Sequence, residues 1–205
     1  MPLTDSDHSL LILASASPRR RELLAQLGVS FSVLPADIDE RVVDGETPQA
    51  YVRRMAVGKA EAGHAQAAVA VAPGPIVLGA DTTVVVNAQI LGKPENQDDA
   101  MRMLALLSGR THRVLSSVAV TDGKRLEART SITEVSFRNI SPGESAAYWA
   151  TGEPCDKAGA YAVQGLGALF VNELKGSYTG VVGLPLYETA ELLTLFDCRL
   201  GLEPG

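Results

Sequence analysis

The chain has 205 residues, with 18 Lys and Arg against 24 Asp and Glu, for a formal net charge of −6. That balance argues against a broadly basic face for a nucleic-acid polymer or an anionic membrane. At 46% hydrophobic and 20% charged residues the composition is globular, the core must be mainly aliphatic because only 5% is aromatic, and the length suits one domain over residues 1–205.

The leader from Met1 to Ser9 carries acidic residues and no basic region, and the apolar run Leu10 to Ala14 is too short for a signal peptide or a membrane span. A cytoplasmic protein is therefore expected. Leu10 to Ala14 reads as a buried strand that breaks at Ser15-Ala16-Ser17. A helix follows, with Ser17 as cap, Pro18 at its first position and Gly28 just past its end; Leu23, Leu24 and Leu27 form its apolar face. Phe31 to Leu34 is a second strand, leading into the acidic turn Asp37-Ile38-Asp39-Glu40. The next helix starts at Thr47-Pro48, with Tyr51, Val52, Met55 and Ala56 as its stripe and Lys59 on the same side. The alanine-rich stretch Ala65 to Pro75, ending in Pro73-Gly74-Pro75, reads as a surface excursion.

Ile76 to Ala80 is an apolar strand that ends or bulges at Asp81, with strand character resuming through Val86 and a turn at Asn87-Ala88. Asn96 caps a helix with Asp98 and Asp99 in its first turn, Met103, Leu104 and Leu107 inward, and Ser108-Gly109 at its close. Arg113 to Thr121 and Arg125 to Phe137 form a hairpin around Asp122-Gly123. Ser141-Pro142-Gly143-Glu144 is a capping box opening a helix to Ala150. Strands near Ala168–Leu174 and Tyr178–Val182 and a last helix from about Pro185 to Phe196 complete the chain. Strand–helix units alternating with hairpins imply an α/β fold with a mixed sheet.

Three features stand out chemically. The first helix opens on Arg19, Arg20 and Arg21, cations at the positive end of the helix dipole, with Arg20 where a capping box would place Glu or Gln. Successive residues cannot all face one way, so Arg21 fits a solvated face, while Ser15, Ser17, Arg19 and Arg20 suit a polyphosphate cradle. Asp81 interrupts an apolar strand and needs compensation; there it can bind Mg²⁺ or Mn²⁺, or take a proton from a water. Lys59 intrudes on an apolar helix face and Lys93 lies in a Gly-Lys-Pro turn; they gain weight only if the fold brings both to Asp81. Glu40 is either a metal ligand or part of a solvated acidic loop, and Gln164 either reads a base edge or is a surface amide.

No P-loop, dinucleotide fingerprint, HExxH or GxSxG pattern occurs. His8, His64 and His112 form no zinc spacing, and Cys155 and Cys198 are far apart, which suits two inert thiols better than a secreted scaffold.

The run from Ala14 to Leu24 (ASASPRRRELL) resembles the opening of the Maf family of nucleoside triphosphate pyrophosphatases. The similarity continues through Asp39-Glu40, Ala56…Lys59-Ala60, Gly79-Ala80-Asp81-Thr82, Leu91-Gly92-Lys93-Pro94, Ser108-Gly109-Arg110-Thr111-His112, Asp156 to Tyr161 and Val182-Gly183-Leu184-Pro185. Ser116 stands where the family usually has Thr, and Asn87-Ala88 replaces a commoner Asn-Gly. The resemblance implies an inosine-triphosphatase-like fold, a twisted mixed sheet with flanking helices and a cleft between two lobes. It implies cleavage of a nucleoside triphosphate to monophosphate and pyrophosphate with a divalent cation, Mg or Mn.

By position, Asp81 becomes the proton acceptor and, with Glu40, a metal ligand, while Ser15, Ser17, Arg19, Arg20, Lys59 and Lys93 hold the triphosphate. The segment Ala160 to Gly165 is similar to the branch that prefers dTTP, UTP and modified pyrimidine nucleotides, with Arg20, Thr82 and Gln164 as specificity residues. The alternatives are the 7-methylguanosine-triphosphate branch and a non-catalytic regulator of septum formation. A homodimer is a family expectation, and no nucleic-acid polymer or membrane is expected as partner.

Overall fold

The computed structural model describes residues 10–70 and 74–201. The leader with His8, and Pro73 of the loop, lie outside the described residues. The elements are β1 (Leu11–Leu13), α1 (Pro18–Ala25), β2 (Phe31–Val33), α2 (Pro48–Ala70), β3 (Ile76–Val86), β4 (Gln89–Leu91), α3 (Gln97–Leu107), β5 (Thr111–Thr121), β6 (Leu126–Phe137), α4 (Pro142–Ala150), β7 (Val171–Lys175), α5 (Tyr178–Val182) and α6 (Leu186–Leu195). The strands form one mixed sheet in the order β2-β1-β3-β5-β6-β7, with β4 also on β3. β1 runs parallel to β2 and β3, and all other pairs are antiparallel.

β3 organises the sheet. β5 pairs with it continuously from Val77 to Val85. A strand has only two edges, so β1, which pairs with Ile76 to Leu78, and β4, which pairs with Val84 to Val86, must share the other. Among the described residues Gly79 to Thr83 have no strand partner on that second edge, and the notch there separates two lobes of one sheet.

Side-chain alternation along β3 sorts its residues by face. On one face Ile76, Leu78 and Ala80 pack with α1 and α6 through Leu23, Leu24, Leu192 and Leu193. Further along that face Val84 and Val86 pack with α3 through Met103, Leu104 and Leu107. Thr82 falls between these two cores. The opposite face carries Val77, Gly79, Asp81 and Val85 under α2. A Cβ on Gly79 would lie 2.3 Å from the Ala56 carbonyl oxygen and 2.4 Å from the Ala60 nitrogen. Only glycine lets α2 approach so closely, and this contact holds the turn of α2 that carries Lys59 over Asp81.

Several elements follow the sequence expectation closely. Thr47 caps α2 through the Ala50 amide at 3.2 Å, Asn96 caps α3, and the Ser141–Glu144 capping box is complete. Asn87 and Ala88 take φ of +50° and +62°, the left-handed pair of a tight hairpin.

Other elements differ. The alanine-rich stretch is not an excursion up to Ala70, because alanine extends α2 that far. β3 neither ends nor bulges at Asp81; it passes straight through. The β5–β6 link has four residues, 122–125, with the Asp122 carboxylate accepting from the Lys124 and Arg125 amides. The strand expected near Ala168–Leu174 begins only at Val171, after a 3-10 turn at Leu166–Phe170. Tyr178–Val182 is a helix despite its β-branched composition. Ser177 caps it by accepting from the Gly180 amide at 3.0 Å, and Ser116 Oγ donates to the Gly180 carbonyl at 2.5 Å. The local cap and the tertiary bond from β5 together override strand propensity.

Gly79→Ala should cost about 3 kcal/mol in urea unfolding, because the added methyl meets backbone that cannot yield. Gly143→Ala, in the first turn of α4 with open space around its Cβ, should leave stability unchanged or raise it by up to about 1 kcal/mol.

Candidate active site

A cleft of about 680 Å³ opens at the split edge of β3, and all ten residues singled out in the sequence line it: Ser15, Ser17, Arg19, Arg20, Glu40, Lys59, Asp81, Thr82, Lys93 and Gln164. Its size is that of a pocket for a small ligand.

The β1–α1 turn forms one wall. Ser17 caps α1, with the Arg20 amide 3.5 Å from its hydroxyl, and Ser15 Oγ accepts from the Ser17 amide at 3.3 Å. Arg20, at the capping-box position, folds back: its guanidinium donates to Ser15 Oγ at 3.2 Å and to the Gly183 carbonyl at 2.9 Å. Burial pulls its pKa down and Arg19 adds to this, while Asp81 and Glu40 oppose it. Arg19 lies 3.7 Å from Asp156, and Arg21 points to solvent, as three successive residues require.

Beneath the open edge, Lys59 Nζ stands 2.8 Å from Asp81 Oδ1 and 2.7 Å from Glu40 Oε1. Lys59 and Asp81 are buried, so each supplies the counter-charge the other needs. Asp81 Oδ2 has no hydrogen-bond partner among the described residues. Partial burial pushes the Glu40 carboxyl up, but the Lys59 hydrogen bond and charge outweigh it, with Lys93 and Arg20 contributing, and it ends below its ordinary range. Lys93 itself is exposed at the rim.

On the other face of β3, Thr82 Oγ1 shares a hydrogen bond with Ser116 Oγ, its register partner, at 2.9 Å and lies 3.4 Å from the Gly183 carbonyl. The carbonyl that holds Arg20 therefore also meets Thr82. Gln164 is exposed on the neighbouring wall.

The cleft also contains Asp156 and Lys157, which the sequence reading left without a role. They pair with each other, and Asp156 reaches Arg19. The signal available was a lysine in a glycine-punctuated loop, too common to single out. Tyr161 is a further lining residue; its hydroxyl meets His112 Nε2 at 2.9 Å, and the His112 ring stands edge-on to Phe137.

Among the described residues no group of three or more His, Cys, Asp or Glu could hold a metal ion, and Cys155 and Cys198 are free. Glu40 and Asp81, as hard oxygen donors converging on one point, have the chemistry that would suit a hard divalent cation such as Mg²⁺ or Mn²⁺. Among the described residues no helix is long and apolar enough to cross a membrane.

The family model described as Maf-like protein matches residues 10–196. The chain belongs to the Maf family. It is 55% identical over 185 residues to a dTTP/UTP pyrophosphatase of Pseudoalteromonas atlantica, covering 90% of this chain and 96% of that one. It is 53% identical over 199 residues to a dTTP/UTP pyrophosphatase of Aromatoleum aromaticum, covering 93% and 97%. Among solved structures, a dITP/XTP pyrophosphatase of Mycobacterium abscessus matches with a TM-score of 0.43 and 13% identity, covering 91% of this chain and 92% of that one. Every residue of the ten-membered cleft set falls inside the segment that matches the Maf model.

His112 supplies a pH signature for this Maf cleft. Burial alone pulls its pKa down to about 4, so the folded protein keeps it neutral. The unfolded chain binds the proton first, and the stabilisation present above pH 6.5 is lost as pH falls towards 4. In urea titrations at pH 7.5 and 4.5, His112→Gln should be the weaker protein at pH 7.5 but lose roughly 2 kcal/mol less than the native chain between them. Equal losses would contradict a neutral buried imidazole.

Proposed function

We propose that this chain is a single-domain nucleoside triphosphate pyrophosphatase that cleaves dTTP, UTP and modified pyrimidine nucleotides to the monophosphate and pyrophosphate, in surveillance of the nucleotide pool. The observation that carries this reading is the apposition, in one cleft, of an arginine-opened helix start with the Glu40–Lys59–Asp81 cluster. The names of relatives at 53–55% identity support it. The reading includes a cytoplasmic, homodimeric protein with no polymer or membrane partner, which family membership and the net charge of −6 favour.

The chemistry assigned to the residues follows from their positions. Arg19 and Arg20, the α1 amides, Ser15, Ser17, Lys59 and Lys93 bind and neutralise the triphosphate. Asp81 Oδ2 orients a water and takes its proton as the water oxygen bonds to the α-phosphorus. The bond from the α-phosphorus to the bridging oxygen breaks, and its electron pair leaves with pyrophosphate. A divalent cation held by Glu40 and Asp81 would neutralise phosphate oxygens during this displacement. Gln164, Thr82 and Arg20 choose the base, since a polar group that a bound base covers without matching is costly.

Pyrophosphate release from dTTP, UTP and 7-methylguanosine triphosphate with Mg²⁺ or Mn²⁺ tests the reading. The two pyrimidine nucleotides should turn over fastest, and Asp81→Asn should lower the rate by about 10²-fold or more. Release from no nucleotide, with bound nucleotide recovered intact, would leave a binding protein rather than an enzyme. Equal rates for the native chain and Asp81→Asn would remove Asp81 from the proton transfer. Gln164→Ala should narrow the ratio of dTTP to 7-methylguanosine triphosphate turnover with a smaller effect on the rate from the better substrate.

A further inference from the structure

Lys59 occupies an unusual place for a phosphate-binding lysine. Its Nζ contacts Asp81 and Glu40 at 2.8 and 2.7 Å, its side chain is only 10% exposed, and two carboxylates already balance its charge. The point between the two carboxylates is the point that a divalent cation bound by both would need. An ammonium and such a cation cannot share it, because like charges at contact distance in a partly dry site repel strongly. Without a cation there, the two carboxylates would repel each other as well, so the Lys59 ammonium is what lets them converge. The rest of the cleft offers Lys59 a second set of partners. Arg19, Arg20 and Lys93 define where polyphosphate oxygens gather, and Lys59 lines the same cavity.

We propose that Lys59 is the resident counter-ion of the Glu40–Asp81 pair, and that the pair opens to a divalent cation only when triphosphate oxygens draw the ammonium away. The proposal rests on the pyrophosphatase reading for the identity of the triphosphate. It makes cation and nucleotide binding mutually dependent, with reciprocal coupling. It also keeps Asp81 Oδ1 engaged while the cleft lacks substrate, so that Lys59 changes partners within each cycle of binding.

Two measurements test it. Mn²⁺ is titrated into nucleotide-free protein and the free ion followed by electron paramagnetic resonance. Lys59→Met should bind Mn²⁺ about tenfold tighter or more than the native chain, and Glu40→Gln in the Lys59→Met background should abolish the gain. Equal affinity of the native chain and Lys59→Met, or a gain that survives Glu40→Gln, overturns the proposal.

The second measurement uses the native protein and does not depend on the stability of Lys59→Met. In lysine-selective NMR, the ammonium resonance that disappears in Lys59→Arg should be unmoved by millimolar Mg²⁺ alone. It should shift when Mg²⁺ is added with a non-hydrolysable α,β-imido analogue of dUTP. A shift with Mg²⁺ alone overturns the proposal, as does no shift with both. The Mn²⁺ affinities are read without nucleotide, so they judge Lys59 even if pyrophosphate release fails for every nucleotide, a failure that would count against the pyrophosphatase reading instead.

Discussion

A strand offers two edges, and the use made of those of β3 sets the rest of the molecule. β5 takes one edge along almost its whole length, while β1 and β4 divide the other and leave Gly79 to Thr83 uncovered between them. Each partial partner brings its own core, one built on α1 and α6 and one on α3. The cleft is the place where the two lobes fail to meet, and the backbone that crosses it belongs to a strand of eleven residues that runs unbroken through both. A site on such a strand is rigid without being closed, which suits groups that must be held in fixed positions around an incoming ligand.

The second constraint is electrostatic. A chain with a net charge of −6 gathers Arg19, Arg20, Lys59, Lys93 and Lys157 around one opening. Neighbouring acids balance that concentration: Asp156, on the exposed side, serves Arg19 and Lys157, while Glu40 and the buried Asp81 serve Lys59. Backbone oxygens complete the arrangement, with the Gly183 carbonyl fixing Arg20 and approaching Thr82. The cleft therefore holds its cations in place through its own acids and backbone oxygens, and Gly79 and α2 supply the close packing around the deepest pair.

Much of this was legible in the sequence wherever a local chemical rule decided the outcome. Ser17-Pro18, Thr47-Pro48, Asn96 and the Ser141–Glu144 box marked helix starts because capping uses neighbours in the chain. The cleft set was legible because charged residues in apolar or strained settings demand compensation, and Asp81 and Lys59 proved to compensate each other. What escaped depended on distant contacts. Tyr178–Val182 has the composition of a strand, and the hydrogen bond from Ser116, sixty-four residues away, joins the local Ser177 cap in holding it as a helix. The sharing of one β3 edge by two strands had no local signal, so Asp81 looked like a strand end when it is the middle of an exposed edge. Lys157 was hidden for a similar reason, since its importance comes from what surrounds it and not from its neighbours in sequence.

The pleat of β3 has a consequence for how proteins of this type can diversify. Asp81 points under α2, and Thr82, one residue later, points to the opposite side, where Ser116 and Gly183 meet it. On the proposed reading, bond cleavage and base choice are thus assigned to adjacent residues with separate surroundings. On that reading, substitutions around Thr82 and Gln164 would alter the base contacts without touching the hydrogen bonds and ion pairs of the Lys59 cluster. A single-residue step along one strand thus sets two kinds of chemistry on opposite faces of the same backbone.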